Sequence, residues 1–191
     1  PAIPILIFFG VLIKLSSDGP IFFKQERVGC NGRVFWMLKF RTMHPQAEKK
    51  SGPKWAGNDE DRYIKGGHFL RKFSLDETPQ LLNILKNEMS LVGPRPERPF
   101  FVTKICKEAP YFNLRHQIKG GLTGWAQIHG RAYLTTRPLE KFQYDLYYIK
   151  NMSIILDIKI MIKNKINKFK NKVEIQFLLH RRSAFYFPLL Y

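Results

Sequence analysis

Acidic residues are scarce in this chain: 15 Asp and Glu stand against 32 Lys and Arg in 191 residues, a formal net charge of +17. The imbalance points to an anionic partner, whether nucleic acid, a phospholipid surface or a phosphorylated substrate, without choosing among them. Cysteine is scarcer still. Cys30 and Cys106 lie far apart with no Cys or His companions at zinc spacing. That excludes a disulfide scaffold or a zinc site, suits a reducing compartment, and leaves both thiols as packing groups. The five histidines are scattered and none falls in H-E-x-x-H. G-x-S-x-G, the P-loop and a G-x-G-x-x-G after a strand are missing too, which removes the chemistries those motifs carry. No internal repeat or domain linker stands out. The uncharged start, "PAIPILIFFGVLI", has thirteen residues, short of the ~20 that a bilayer span needs. It also lacks the basic start and small-residue cleavage site of a signal peptide. The chain opens on this run without a Met, which reads as a fragment missing its beginning.

What is present suits one domain with a modest core. A hydrophobic share of 45% and an aromatic share of 14% exclude a disordered basic tail. The apolar start reads as a buried strand, a core helix or an in-plane or re-entrant membrane segment; Pro1 and Pro4 count against a central strand. "SSDGP" is a turn, Ile21 to Phe23 a short strand, "GCNG" a second turn and "RVFWMLKFRTM" a second strand. Residues 44–67 read as a long polar loop, and such loops are often functional. In "LLNILKNEM" apolar residues at 81, 82, 84, 85 and 89 predict a helix, which "SLVGPRPERP" breaks. "FFVTKICKEAPYFNLRHQI" reads as helical on both sides of Pro110, "KGGLTGWAQIHGR" as a loop, and "PLEKFQYDLYYIKN" as a helix. Ile158, Ile162, Ile166, Phe169 and Val173 then mark one face of a basic amphipathic helix, either membrane-seeking or packed on the domain.

In so basic a chain the stretch "FSLDETP" sets Asp76 and Glu77 side by side. Proline is tolerated only in the first turn of a helix, so Pro79 places a helix start close to Asp76. Ser74 with Glu77 could instead form a capping box, although that pushes Pro79 one turn too deep. Either register leaves both acids at the positive end of a helix, which favours their ionised forms. They could be simple caps. An ionised, oriented Asp can also act as a nucleophile, and a neighbouring carboxylate can hold Mg²⁺. Cations surround the pair in sequence: Arg71 and Lys72 just upstream, Lys39 and Arg41 at the end of the second strand, and Arg95 between two prolines in "GPRP". Arg131 closes the glycine loop. The guanidinium fork suits phosphate oxygens, and glycine-rich backbone offers N–H groups to the same oxygens. Trp125 could stack on a base or belong to the core, and His129 is a possible polar contact.

The segments "DGPIFFKQERVG", "KFRTM", "LRKFSLDETPQLLNILKNEMSLVGPRPERP", "GGLTGWAQIHGR" and "YDLYYIKNMSIILDIKI" occur in this order. Together they resemble the bacterial sugar transferases of the monotopic polyprenyl-phosphate phosphoglycosyl transferase superfamily, from about Pro4 to Lys163. The resemblance implies an α+β, mostly helical fold: a small cytoplasmic catalytic domain with short strands, an N-terminal re-entrant membrane helix, here truncated, and interfacial amphipathic helices. It divides the chain into a partial re-entrant helix at 1–15, a catalytic domain at 16–163 and a divergent basic tail at 164–191. It implies transfer of a sugar 1-phosphate from a UDP-sugar to undecaprenyl phosphate with release of UMP, the first membrane step of capsule, exopolysaccharide or O-antigen synthesis. In that scheme Asp76 is the nucleophile of a covalent phospho-sugar intermediate, and Glu77, with Asp76, binds Mg²⁺. Lys39, Arg41, Arg71, Arg95, Gln127 and Arg131 hold substrate. Partners are the UDP-sugar, the polyprenyl phosphate and membrane lipids, with no nucleic acid, at the cytoplasmic face of the bacterial inner membrane. "TTRPLEKFQYDLYYI" resembles members acting on hexoses. The chain departs from the pattern at Ile3, where serine usually precedes the kink proline, and at Gly120, where proline is common. Two other readings compete: a non-catalytic peripheral membrane protein that keeps the fold, and a nucleic-acid binder suggested by charge alone, for which no reading module is present.

Overall fold

A computed structural model describes residues 2–44, 63–130, 134 and 137–167. Helix α1 (Ala2–Ser16) leads into a hairpin of β1 (Phe22–Val28) and β2 (Val34–Phe40). A 3₁₀ turn at Cys30–Gly32 joins the two strands, and it turns because Asn31 and Gly32 adopt positive φ. Pairing is antiparallel from Phe22 opposite Phe40 to Val28 opposite Val34. After α2 (Gly67–Lys72), a 3₁₀ turn (Leu75–Glu77) and α3 (Gln80–Leu85) comes β3 (Ser90–Val92). Helix α4 (Pro99–Glu108), a 3₁₀ stretch (Pro110–Gln117), β4 (Gly121–Thr123), α5 (Trp125–Gly130) and α6 (Pro138–Lys150) follow. Helix α7 covers residues 154–167. The class is α+β with short strands, as the sequence suggests.

The core forms in patches around these short elements. Ile13 of α1 packs with Phe40, Ile64 and Leu70, and Leu6, Phe9, Ile21, Phe22 and Leu75 close around them. Leu6, Phe9 and Ile13 recur at helical spacing, so one stripe of α1 docks on the domain. The other side of this largely apolar helix leaves Ile7, Phe8, Val11, Leu12 and Leu15 exposed. At about 1.5 Å per residue the helix is too short to cross a bilayer. Among the described residues no helix is long and apolar enough to do so. A second patch gathers Val28, Phe101, Val102, Ile105 and Phe112, and a third Val92, Ile128, Tyr148 and Ile160.

Several elements differ from the sequence reading. The helix expected over 81–89 ends at Leu85, and Asn87 then turns the chain with φ of +65°. The chain is helical on both sides of Pro110 as expected, the second side in the 3₁₀ form. The largest difference is in "KGGLTGWAQIHGR", which holds a strand and a helix instead of a loop. Its glycines serve close approach: Ser90–Val92 runs parallel to Gly121–Thr123, and a Cβ at Gly121 would overlap the Gly93 amide. At Gly120 a side chain would collide with the Pro96 ring, which accounts for glycine there. The loop expected at 44–67 falls mostly outside the described residues. Its two ends meet where Met43 bridges Tyr63 and the Ile64 amide donates to Thr42 O at 3.0 Å. Helix α7 runs through residue 163 without a break. Ile158, Ile162 and Ile166 are all exposed on it, while Phe169 and Val173 lie outside the described residues.

Candidate active site

Asp76 and Glu77 share the 3₁₀ turn between α2 and α3, and each is only 7% exposed. The chain enters this turn through Ser74 in the left-handed region, φ +54° and ψ 28°. That conformation is uncommon for a non-glycine residue and costs on the order of 1 kcal/mol. Ser74 makes no side-chain capping bond, so the capping box does not form. Pro79 is the residue before α3, with φ −62° and ψ −17°, and the helix proper begins at Gln80. The acids therefore sit one tight turn ahead of the helix rather than at its cap. With six residues, α3 contributes little dipole, and side-chain cations supply the positive field instead.

Packing and one amide hold the turn in place. Leu75, next to Asp76, lies against the α1 and β2 cluster. Thr78 Oγ1 donates to Leu75 O at 2.7 Å. Asn83, fully buried on α3, donates Nδ2 to Trp36 O at 2.8 Å and accepts from the Leu38 amide at 3.0 Å. It clamps α3 to β2, the strand that carries Lys39. The sequence offered one signal for it, a polar residue inside the apolar run "LLNIL".

Two of the predicted cations converge on Glu77. Lys39 Nζ lies 3.3 Å from Oε1, and Arg95 Nη2 donates to the same oxygen at 2.6 Å. Burial pulls the Lys39 ammonium down to about 8, while the Glu77 charge pulls the other way. Burial also opposes the Arg95 charge, but the charge and hydrogen bond of Glu77, with the Glu97 and Asp76 charges, outweigh it and hold that guanidinium above its ordinary value. Buried ion pairs add little net stability over apolar packing, so such a cluster is better explained by an anionic ligand than by folding.

The other predicted residues lie elsewhere. Arg41 is buried and turned to the end of α1, donating to Asp18 O at 2.5 Å, Ser17 O at 2.8 Å and Ser17 Oγ at 2.9 Å. It ties α1 to β2 and does not reach the acids. Arg71 donates to the Tyr63 hydroxyl at 2.9 Å and lies over that ring. Gln127 on α5 packs against Gly124, its Nε2 3.4 Å from Leu122 O and its Oε1 buried without a hydrogen-bond partner. Arg131 lies outside the described residues. Trp125 stacks on Tyr147 at 5.0 Å and borders the Val92 patch, which settles it as a packing residue. His129 Nδ1 donates to Trp125 O at 2.9 Å, which leaves Nε2 to accept from Lys163 at 3.1 Å.

Sequence reasoning missed a set of buried charges around "GPRPE". Arg27 pairs with Glu97 at 3.7 Å, Lys141 pairs with the same carboxylate, and Arg115 pairs with Asp145 at 2.8 Å. Burial, with the nearby Arg95 charge, lowers Arg27 to about 10. Nothing in the sequence marks these residues, because their partners are distant in the chain. Among the described residues no group of three or more His, Cys, Asp or Glu stands at metal-binding distance.

Residues 1–171 match the family described as bacterial sugar transferase. A UDP-N-acetylgalactosamine-undecaprenyl-phosphate N-acetylgalactosaminephosphotransferase of Aeromonas hydrophila is 42% identical over 84% of this chain and 38% of its own length. A UDP-glucose:undecaprenyl-phosphate glucose-1-phosphate transferase of Xanthomonas campestris pv. campestris is 41% identical over 83% of this chain and 34% of its own length. One of the same name from Escherichia coli (strain K12) is 40% identical over 88% and 37%. The chain thus spans little more than a third of these relatives.

Proposed function

Because the chain belongs to the bacterial sugar transferase family, we propose that it transfers a sugar 1-phosphate from a UDP-sugar to undecaprenyl phosphate, releasing UMP. The observation that carries this reading is the convergence of Lys39 and Arg95 on Glu77, next to the buried Asp76. A diphosphate donor brings negative charge to a carboxylate nucleophile, and attack needs fixed cations to offset the repulsion.

Asp76 attacks the β-phosphorus of the donor. An Asp–O–P bond forms, the bond to the bridging oxygen breaks, and UMP leaves with that oxygen. A phosphate oxygen of the lipid then attacks the same phosphorus. The Asp–O–P bond breaks, Asp76 is regenerated, and the product is a polyprenyl diphosphate sugar. Lys39 and Arg95 orient Glu77 and face the incoming phosphates. Mg²⁺ takes one or two carboxylates and completes its shell with water and substrate phosphate, so the adjacent Asp76 and Glu77 fit its needs. Bound there with Glu77 as the main ligand, it would add positive charge to the donor phosphates. A hexose 1-phosphate is the favoured group.

The lipid acceptor puts the site at a membrane surface, here the cytoplasmic face of the bacterial inner membrane, at the first membrane step of polysaccharide assembly. Exposed apolar residues on α1 and α7, and Lys159, Lys163 and Lys165 on α7, suit an anionic lipid interface.

A UDP-sugar labelled on its β-phosphate tests the scheme. With Mg²⁺ and no lipid acceptor, label should appear on the protein with stoichiometric UMP, and Asp76→Ala should abolish both. Absence of UMP from the membrane-reconstituted protein across a broad UDP-sugar panel would overturn the reading.

A further inference from the structure

The segment that carries Arg95 has two prolines and therefore few amide donors, so its carbonyls are what the rest of the domain can grip. Four in succession are gripped. Pro94 O accepts from the Gly121 amide at 2.9 Å and Arg95 O from Arg115 Nη2 at 2.8 Å. Pro96 O accepts from Arg27 Nη1 at 2.8 Å, and Glu97 O from the Val28 amide at 2.9 Å. Of these donors, Arg115 holds the very residue whose side chain touches Glu77.

Arg115 is itself fixed. Its side chain is 1% exposed, Nε donates to Asp145 Oδ2 on α6 at 2.9 Å, and Nη2 lies 2.8 Å from the same oxygen as an ion pair. Its guanidinium also lies over the Phe112 ring, 4.9 Å from the centroid. We propose that Arg115, clamped by Asp145, is a positioning residue that holds Arg95 against Glu77 and so sets the geometry of the phosphate-facing cluster. This deepens the transferase reading and rests on it for the substrate. A buried ion pair is a poor way to gain stability, because apolar residues of similar volume do as well or better. It is a good way to fix a carbonyl, since a charge-assisted hydrogen bond tolerates little displacement. Reacting groups in turn tolerate little misplacement, about a hundredfold in rate for 1 Å.

The test uses the whole chain and a double substitution, Arg115→Met with Asp145→Leu, which strands no buried charge. Two readouts are taken. One is the order of the Arg95 Nε–H group by ¹⁵N relaxation, with the signal assigned by its loss in Arg95→Lys. The other is UMP release with kcat and KM separated. The expected result is a folded protein with a melting temperature near that of the parent, a disordered Arg95 signal, and kcat lowered about 10- to 100-fold. Adding Arg95→Ala should then cause no further loss beyond that of Arg95→Ala alone. Should the double variant fail to fold, Arg115→Lys takes its place, with partial loss of Arg95 order expected. An Arg95 signal as ordered as in the parent, or an equal loss of rate in the Arg95→Ala background, overturns the proposal. If the parent releases no UMP from any UDP-sugar, the transferase reading falls, and the Arg95 signal alone still decides the positioning.

Discussion

Around Glu77 the chain buries charge, while along α1 and α7 it exposes large apolar side chains. Folded chains usually do the reverse on both counts. Glu77, Lys39, Arg95, Arg115 and Asp145 are largely or wholly withdrawn from water, yet Ile154 and Ile155 are 79% and 80% exposed. Each arrangement forgoes stability that the opposite choice would give, and each makes sense if a ligand completes it: phosphates at the first, lipid at the second. The comparison teaches that the two should separate experimentally. Changes at the buried charges should alter chemistry, and changes on the exposed faces should alter location.

The largest effect belongs to Asp76→Ala, which should lower UMP release by at least ~10⁴-fold while leaving membrane recovery unchanged. Glu77→Gln keeps the shape but removes the charge that Lys39 and Arg95 meet, and about a hundredfold loss of kcat is expected. On the other side, Ile155→Asp together with Ile158→Asp should weaken partition into anionic vesicles by roughly 10- to 100-fold, as expected for two half-inserted side chains that each contribute about half of the ~1.5–3 kcal/mol of full burial. Turnover of a detergent-soluble lipid analogue should be unchanged. If that turnover falls in parallel with partition, the two regions are not separable and the comparison breaks.

Arg41→Ala probes the join between them. It removes the bonds that hold the end of α1 to β2. Thermal unfolding should report a loss of about 1.5–3 kcal/mol, with little change in kcat. A catalytic loss as large as that of Glu77→Gln would place Arg41 in the site after all.

The smallest effect is that of pH on Lys39. Its ammonium is lowered to about 8 against 10.5 in the unfolded chain. Between these values the unfolded state binds more protons, so this group's contribution to stability rises with pH across that window. Binding of an anionic donor runs the other way, because the positive charge is lost as pH passes about 8. KM for the UDP-sugar should rise several-fold between pH 7 and 9, and Lys39→Arg, whose charge persists, should flatten that rise.

Much of this was legible in the sequence. The hairpin, the α6 pattern, the adjacency of Asp76 and Glu77 and the rigid "GPRP" all follow from local rules of periodicity, turn chemistry and proline geometry. The strand and helix hidden in "KGGLTGWAQIHGR" were not legible. There glycine signals a close backbone partner, and the partner, Gly93, lies 28 residues earlier. Arg41 and Lys39 look alike in "KFR", and strand alternation alone would put both on one face. Lys39 meets Glu77, while two residues on, past the strand end at Phe40, Arg41 meets α1.

The sequence by itself determined the chemistry on offer: paired acids, an excess of cations and a proline-fixed arginine, each set by covalent structure and short-range backbone preference. Only the tertiary structure decided which cations meet the acids, that the acids precede α3 in a 3₁₀ turn, and that Arg115 and Asp145 grip the Arg95 carbonyl. Those contacts join residues tens of positions apart, and the packing of whole elements brings them together.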